Sequence, residues 1–146
     1  MPKKILNIGV LGAARILPDA LIKPAGHLEN VRVYSIAARN PSKAKKFAEK
    51  HGISVVKKNY DEIISDPQID AVYIPLPNGL HAEWCIKAME SGKHVLCEKP
   101  IANNKEEALQ IRTTSERTGM LCVEAFHYVY HPLMQRIRAI LDSNVI

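Results

Sequence analysis

The residues able to do chemistry fall in a few short stretches. The first is Gly9-Val10-Leu11-Gly12-Ala13-Ala14-Arg15-Ile16. An apolar run precedes the glycine bend and a helical pattern follows it. That context suits a site where a pyrophosphate approaches backbone N–H groups at the positive end of a helix. Gly12 supplies the bend, while Ala14 and Leu17 stand where the second and third glycines of a G-x-G-x-x-G turn would be. The match is degenerate, and a plain strand-to-helix turn in a parallel sheet accounts for the same residues. The second stretch is Ala37-Ala38-Arg39-Asn40 with Lys43, which has no carboxylate nearby. At the end of a second strand, Asp or Glu holds ribose hydroxyls, whereas Arg receives a 2′-phosphate. Arg39 and Lys43 attract a phosphate that a carboxylate would repel. The local chemistry thus predicts NADP as cofactor, with NAD less favoured. An ordinary solvent-facing Arg39 is the alternative.

The elements that must position these residues alternate along the chain. Residues 5–11, 31–38, 53–56, 71–75, 94–97 and 120–125 read as short apolar strands. Between them lie helical patterns. Residues 15–26 place Ile16, Leu17, Ala20 and Leu21 on one face. Asn40-Pro41 opens a helix that turns Ala44, Phe47 and Ala48 inward and stops at Gly52. Residues 61–65 are a brief helix. Residues 80–91 turn Cys85, Ile86, Ala88 and Met89 inward, and residues 105–118 end at Gly119. A last helix from about His131 carries Leu133, Ile137, Ile140 and Leu141 on one face. Continuous apolar strands alternating with helices predict an α/β fold, a doubly wound parallel sheet covered on both faces.

Composition narrows the function classes. The 146 residues are 47% apolar and 24% charged, with net charge +5, the profile of one globular domain. The charge is uneven: residues 1–60 carry +9 and residues 61–146 carry −4. A basic half can meet nucleic acid, a membrane surface or a phosphorylated ligand. Only 5% of residues are aromatic, and none interleave with the basic run Lys43, Lys45, Lys46 and Lys50. That argues against a stacking platform for nucleic acid. No stretch reaches the roughly 18 apolar residues of a membrane span. The start Met1-Pro2-Lys3-Lys4 lacks a leader's apolar region. Cys85, Cys97 and Cys122 are odd in number and lie in apolar runs. They predict reduced thiols, a cytoplasmic location and no metal site.

Further along, Asp70-Ala71-Val72-Tyr73-Ile74-Pro75-Leu76-Pro77-Asn78-Gly79-Leu80-His81 is followed by Gly92-Lys93-His94-Val95-Leu96-Cys97-Glu98-Lys99-Pro100. Together they resemble the glucose–fructose oxidoreductase, inositol dehydrogenase and MocA family of nicotinamide-dependent oxidoreductases. Residues 11–16 and Glu124-Ala125-Phe126-His127-Tyr128 resemble its branch of dihydrodiol and aldose (xylose) dehydrogenases. The resemblance implies an amino-terminal Rossmann domain over residues 1–130. Gly12, Ala13, Ala14, Arg15 and Ile16 match its pyrophosphate turn, and Ala38, Arg39 and Lys43 its adenosine-phosphate site. Leu76, Pro77, Asn78 and His81 match a loop beside the ribose and nicotinamide, with helix capping the other reading of His81. Glu98 and Lys99 match residues near the nicotinamide, and the Lys99–Pro100 peptide is often cis in such enzymes. Val129 stands where the branch usually has Arg, so a polar contact from that position is not carried over.

In that frame Lys99 is the acid/base that positions substrate. A like charge on the oxidised ring disfavours its ammonium, which brings the group into a useful range. Relatives are about twice as long and carry a second, substrate-binding domain. The resemblance implies that this domain is absent here, with residues 131–146 a helix and the start of the connection to it. Val145 and Ile146 would begin its first strand. The implied function is the NADP(H)-binding half of an oxidoreductase acting on a small-molecule substrate, a sugar or cyclic diol. This chain alone is expected to be inactive. A non-catalytic dinucleotide-binding module or a truncated product without turnover is the alternative, and a homo-oligomer is left open.

Overall fold

The computed structural model describes residues 5–143. Met1–Lys4 and the expected strand start at Val145 and Ile146 lie outside them. Six strands form one sheet: β1 (Leu6–Leu11), β2 (Val31–Ala37), β3 (Val55–Val56), β4 (Ala71–Ile74), β5 (His94–Cys97) and β6 (Cys122–Glu124). Their order is β3-β2-β1-β4-β5-β6, and every neighbouring pair is parallel. This is the doubly wound order of a Rossmann fold, whose crossovers reverse direction between β1 and β4.

Alternation across the pleat sends neighbouring side chains to opposite layers. Val10, Ile36 and Tyr73 pack on one face with Leu17, Leu21, Ala44 and Ala48. Leu11, Ala37, Val72 and Ile74 pack on the other with Ile63, Trp84, Cys85 and Met89. The helices are α1 (Lys23–Gly26), α2 (Pro41–His51), α3 (Tyr60–Ile64), α4 (His81–Glu90), α5 (Lys105–Thr118) and α6 (Pro132–Asp142). Asparagine side chains cap three of them. Asn40, Asn59 and Asn104 accept from the backbone N–H of Lys43, Glu62 and Glu107 at 3.1, 2.8 and 2.8 Å, satisfying otherwise orphaned donors.

Gly9 is required by packing. A Cβ there would stand 2.6 Å from Ile63 Cγ2 and 2.9 Å from Ile69 Cδ1, so α3 lies directly against the β1 backbone. The β1–β2 register also shifts between Ile8 and Gly9.

Three expectations need correction. The helix after β1 does not begin at residue 15: a π-helical turn (Pro18–Ile22) precedes α1. Pro18 takes the first helical position, and Pro24 has no N–H to return to the ladder. The Lys23 N–H reaches back instead to the Pro18 oxygen. Ile16 consequently stays outside the helix and exposed. The sixth strand is shorter than expected, beginning at Cys122. The third strand is also shorter than residues 53–56, confined to Val55–Val56. On α6, Leu133 is 60% and Leu141 55% exposed.

Candidate functional site

The carboxyl ends of the central strands open into a crevice of about 450 Å³. Gly12, Ala13 and Ala14 line it after β1, and Ala38, Arg39, Asn40 and Lys43 after β2. Lys58, Asn59 and Tyr60 follow β3; Pro75, Leu76, Pro77 and Leu80 follow β4. Gly12 and Arg39 therefore share one cleft. Gly12 has φ +118°, a conformation that favours glycine, and a Cβ there would stand 3.2 Å from Leu76 Cδ2. Its N–H donates to the Ala37 oxygen at 2.7 Å, which ties the bend to β2. Beyond it, the N–H groups of Ala13, Ala14, Arg15 and Ile16 make no hydrogen bond among the described residues. Consecutive unpaired backbone donors of this kind form an anion cradle. The residues around the crevice include three cations and no carboxylate. This donor set fits a dinucleotide carrying a pyrophosphate and a further phosphate.

Arg15, Ile16, Asn78, His81, Glu98 and Lys99 do not line this crevice. Arg15 and Ile16 are exposed on the turn after β1, and Asn78 is exposed at the start of the 3₁₀ turn Asn78–Leu80. His81 presents no ring atom to a bound molecule, nor does it cap α4. It is fully buried. Its Nδ1 lies 2.7 Å from the Pro100 oxygen and its Nε2 2.8 Å from the Leu76 oxygen. The ring thereby joins the loop after β4 to the loop after β5, where the Lys99–Pro100 peptide is cis.

At the end of β5, Glu98 is buried, and the Tyr73 hydroxyl donates to its Oε1 at 2.6 Å. Burial and the Glu98 carboxylate push the Tyr73 hydroxyl well above its usual range, so it remains a donor. His127 Nε2 stands 4.0 Å from the same carboxylate oxygen. Lys99, next in the chain, is exposed. A buried carboxylate and a buried hydroxyl thus meet at the end of β5, and the exposed Lys99 follows directly in the chain.

Other charged groups lie outside the crevice lining and tie turns of the fold together. Buried Lys93 donates to the Asp66 and Ile69 oxygens at 2.7 and 2.8 Å, and burial lowers its pKa. Lys57 meets Asp66 at 2.7 Å. That hydrogen bond, then the Gln68 N–H, holds the Asp66 carboxyl below its ordinary value.

Sequence reasoning missed Lys58, Asn59 and Tyr60. The available signal was their place directly after β3, the strand beside β2. His127 was also missed; it follows β6, the strand beside β5.

A model of an oxidoreductase family with an NAD-binding Rossmann fold matches residues 6–126. A D-xylose 1-dehydrogenase (NADP(+)) from Haloferax volcanii is 38% identical over 96% of this chain and 43% of its own length. A trans-1,2-dihydrobenzene-1,2-diol dehydrogenase from Xenopus tropicalis is 34% identical over 79% of this chain and 35% of its own length. Among solved structures, a 3-ketoreductase from Actinomadura kijaniata in complex with NADP and TDP-benzene superposes with TM-score 0.88. It is 34% identical and covers 98% of this chain and 44% of its own. The chain thus spans less than half the length of these relatives. No helix among the described residues is long and apolar enough to cross a membrane. The chain belongs to the oxidoreductase family with the NAD-binding Rossmann fold, the family that Glu98-Lys99-Pro100 pointed to.

Proposed function

We propose that this chain is the NADP(H)-binding half of an oxidoreductase that moves a hydride between nicotinamide and a sugar or cyclic diol. The observation that carries this reading is the crevice in which the Gly12 bend, Arg39 and Lys43 share walls without a carboxylate. The N–H groups from Ala13 to Ile16 would hold the pyrophosphate, and Arg39 and Lys43 the 2′-phosphate. Leu76 and Pro77 would exclude water on the nicotinamide side, and the buried His81 would keep their loop against the loop bearing Lys99. The bound nicotinamide supplies the hydride donor or acceptor. Lys99 Nζ would take the proton from a substrate hydroxyl, or return it to a carbonyl oxygen. Glu98, anchored by Tyr73, orients the backbone from which Lys99 projects.

Titration of the chain with NADPH and NADH, followed by Trp84 fluorescence, tests the cofactor assignment. Trp84 packs edge-on against Tyr60, a crevice residue, with ring centroids 5.1 Å apart. The expected result is tighter binding of NADPH; equal or tighter binding of NADH refutes it. A second reading is dinucleotide binding without turnover, since the crevice holds cations and backbone donors while Lys99 lies outside its lining. Reduction of NADP by xylose or a dihydrodiol in the presence of this chain alone would exclude that reading.

A further inference from the structure

We infer that Lys58, which lines the same crevice as Arg39 and Lys43, is a determinant of selectivity for the 2′-phosphate. The inference rests on the NADP reading above and adds a residue from a different strand connection. Ile36 pairs with Val56 in the β2–β3 ladder. The chain leaves β2 toward Arg39 and β3 toward Lys58 side by side, and both residues line the crevice.

The turn holding Lys58 is fixed. The Lys57 N–H donates to the Ile36 oxygen at 2.9 Å, and the Lys58 N–H donates to Glu62 Oε2 at 3.0 Å. Asn59 caps α3 through the Glu62 N–H at 2.8 Å. The two adjacent lysines divide their tasks. Lys57 Nζ is taken by Asp66 at 2.7 Å, whereas Lys58 Nζ has no hydrogen bond or ion pair among the described residues. Glu62 engages the Lys58 backbone, which leaves the ammonium free to serve a ligand.

Charge gives that ammonium a use. A phosphate monoester carries about −1.5 to −2 at neutral pH. Arg39, Lys43 and Lys58, the three cations that line the crevice, can together balance it. A dinucleotide without the 2′-phosphate gains little from this arrangement, so Lys58 should act on the ratio of the two affinities.

The test measures Kd for NADPH and NADH with the chain and its Lys58→Ala, Lys58→Arg, Lys58→Glu and Arg39→Ala variants. Melting curves accompany each to confirm folding. Lys58→Ala should weaken NADPH about 5–20-fold, an exposed charge-assisted contact discounted for solvent, and change NADH less than about twofold. Lys58→Glu should weaken NADPH further, and Lys58→Arg should restore most of the loss. Binding of NADPH should also depend less on ionic strength in Lys58→Ala, since one screened charge contact is gone. Equal effects of Lys58→Ala on both dinucleotides, or none on either, overturn the inference. If Arg39→Ala collapses the NADPH preference while Lys58→Ala leaves it intact, the cofactor reading stands and the Lys58 role fails. If the unmodified chain shows no preference, both fail. Should Lys58→Glu not fold, the alanine and arginine variants decide the matter.

Discussion

Replacing Gly12 with alanine puts a Cβ on a residue whose φ is +118°, a region that L side chains rarely adopt. Holding alanine there costs roughly 1–3 kcal/mol. The new methyl would also stand 3.2 Å from Leu76 Cδ2, so Leu76 must give by a few tenths of an ångström. A domain of this size loses about 3–5 °C of Tm per kcal/mol, which places the expected drop at about 3–15 °C. The chain can relieve the strain by rotating Gly12 toward negative φ. That rotation would strain the 2.7 Å bond to the Ala37 oxygen and turn the Ala13–Ile16 N–H groups away from a common point. Affinity should then fall by about tenfold or more, one charge-assisted hydrogen bond's worth, and equally for NADPH and NADH because the pyrophosphate is common to both. Calorimetric titration of both dinucleotides, with thermal melting, reads the two effects. Gly9→Ala is the control. Its Cβ would crowd Ile63 and Ile69 at 2.6 and 2.9 Å, costing about 1–3 kcal/mol by overpacking, with binding of the surviving folded protein unchanged. If Gly12→Ala melts and binds like the parent, or if only NADPH weakens, the assignment of Gly12 to the pyrophosphate turn is wrong.

Tyr73→Phe should lower stability by about 1.5–3 kcal/mol, since it leaves the buried Glu98 carboxylate without its 2.6 Å donor; chemical denaturation would measure this. His81→Phe removes both links to the Leu76 and Pro100 oxygens. Amide hydrogen exchange should then rise in residues 76–80 and 99–102 and stay unchanged in β2. For Asp66, the depressed carboxyl contributes stability that is present above its unfolded value near 3.8 and is lost as pH falls through the lower folded value. Melting curves from pH 6 down to about 2 should therefore show a shallower acid limb in Asp66→Asn than in the parent chain.

Local signals carried much of the architecture. Asn40-Pro41, Gly119 and the bend at Gly12 each impose a backbone event through their own covalent chemistry, so helix α2, the end of α5 and the first turn stand where the residues alone place them. The place of Arg39 directly after the second strand also follows from the sequence, and it lines the crevice. The features that escaped depend on what lies across space. Pro18 and Pro24 displaced the start of the first helix because their effect concerns hydrogen-bond partners, which apolar spacing does not report. His81 reads from the sequence as a cofactor contact or a helix cap; the structure buries it, with the Leu76 and Pro100 oxygens each within 2.8 Å of a ring nitrogen. Lys58 and Tyr60 reach the crevice only through the pairing of β3 with β2. Lys93, embedded in the stretch that carries the family resemblance, is buried and ties the turn before β5 to the turn before β4.

The uncovered flank of α6 has a bearing on bench work. Leu133, Ile137 and Leu141, beside the exposed Tyr128 and Tyr130, offer greasy ground to any environment-sensitive dye while every strand is still in place. Bright anilinonaphthalene emission at room temperature is then a property of the native molecule rather than a sign of misfolding. Dye-based melting scans will start from a high baseline and blur the transition. The intrinsic emission of Trp84, buried on α4 against Tyr60, is the cleaner thermometer.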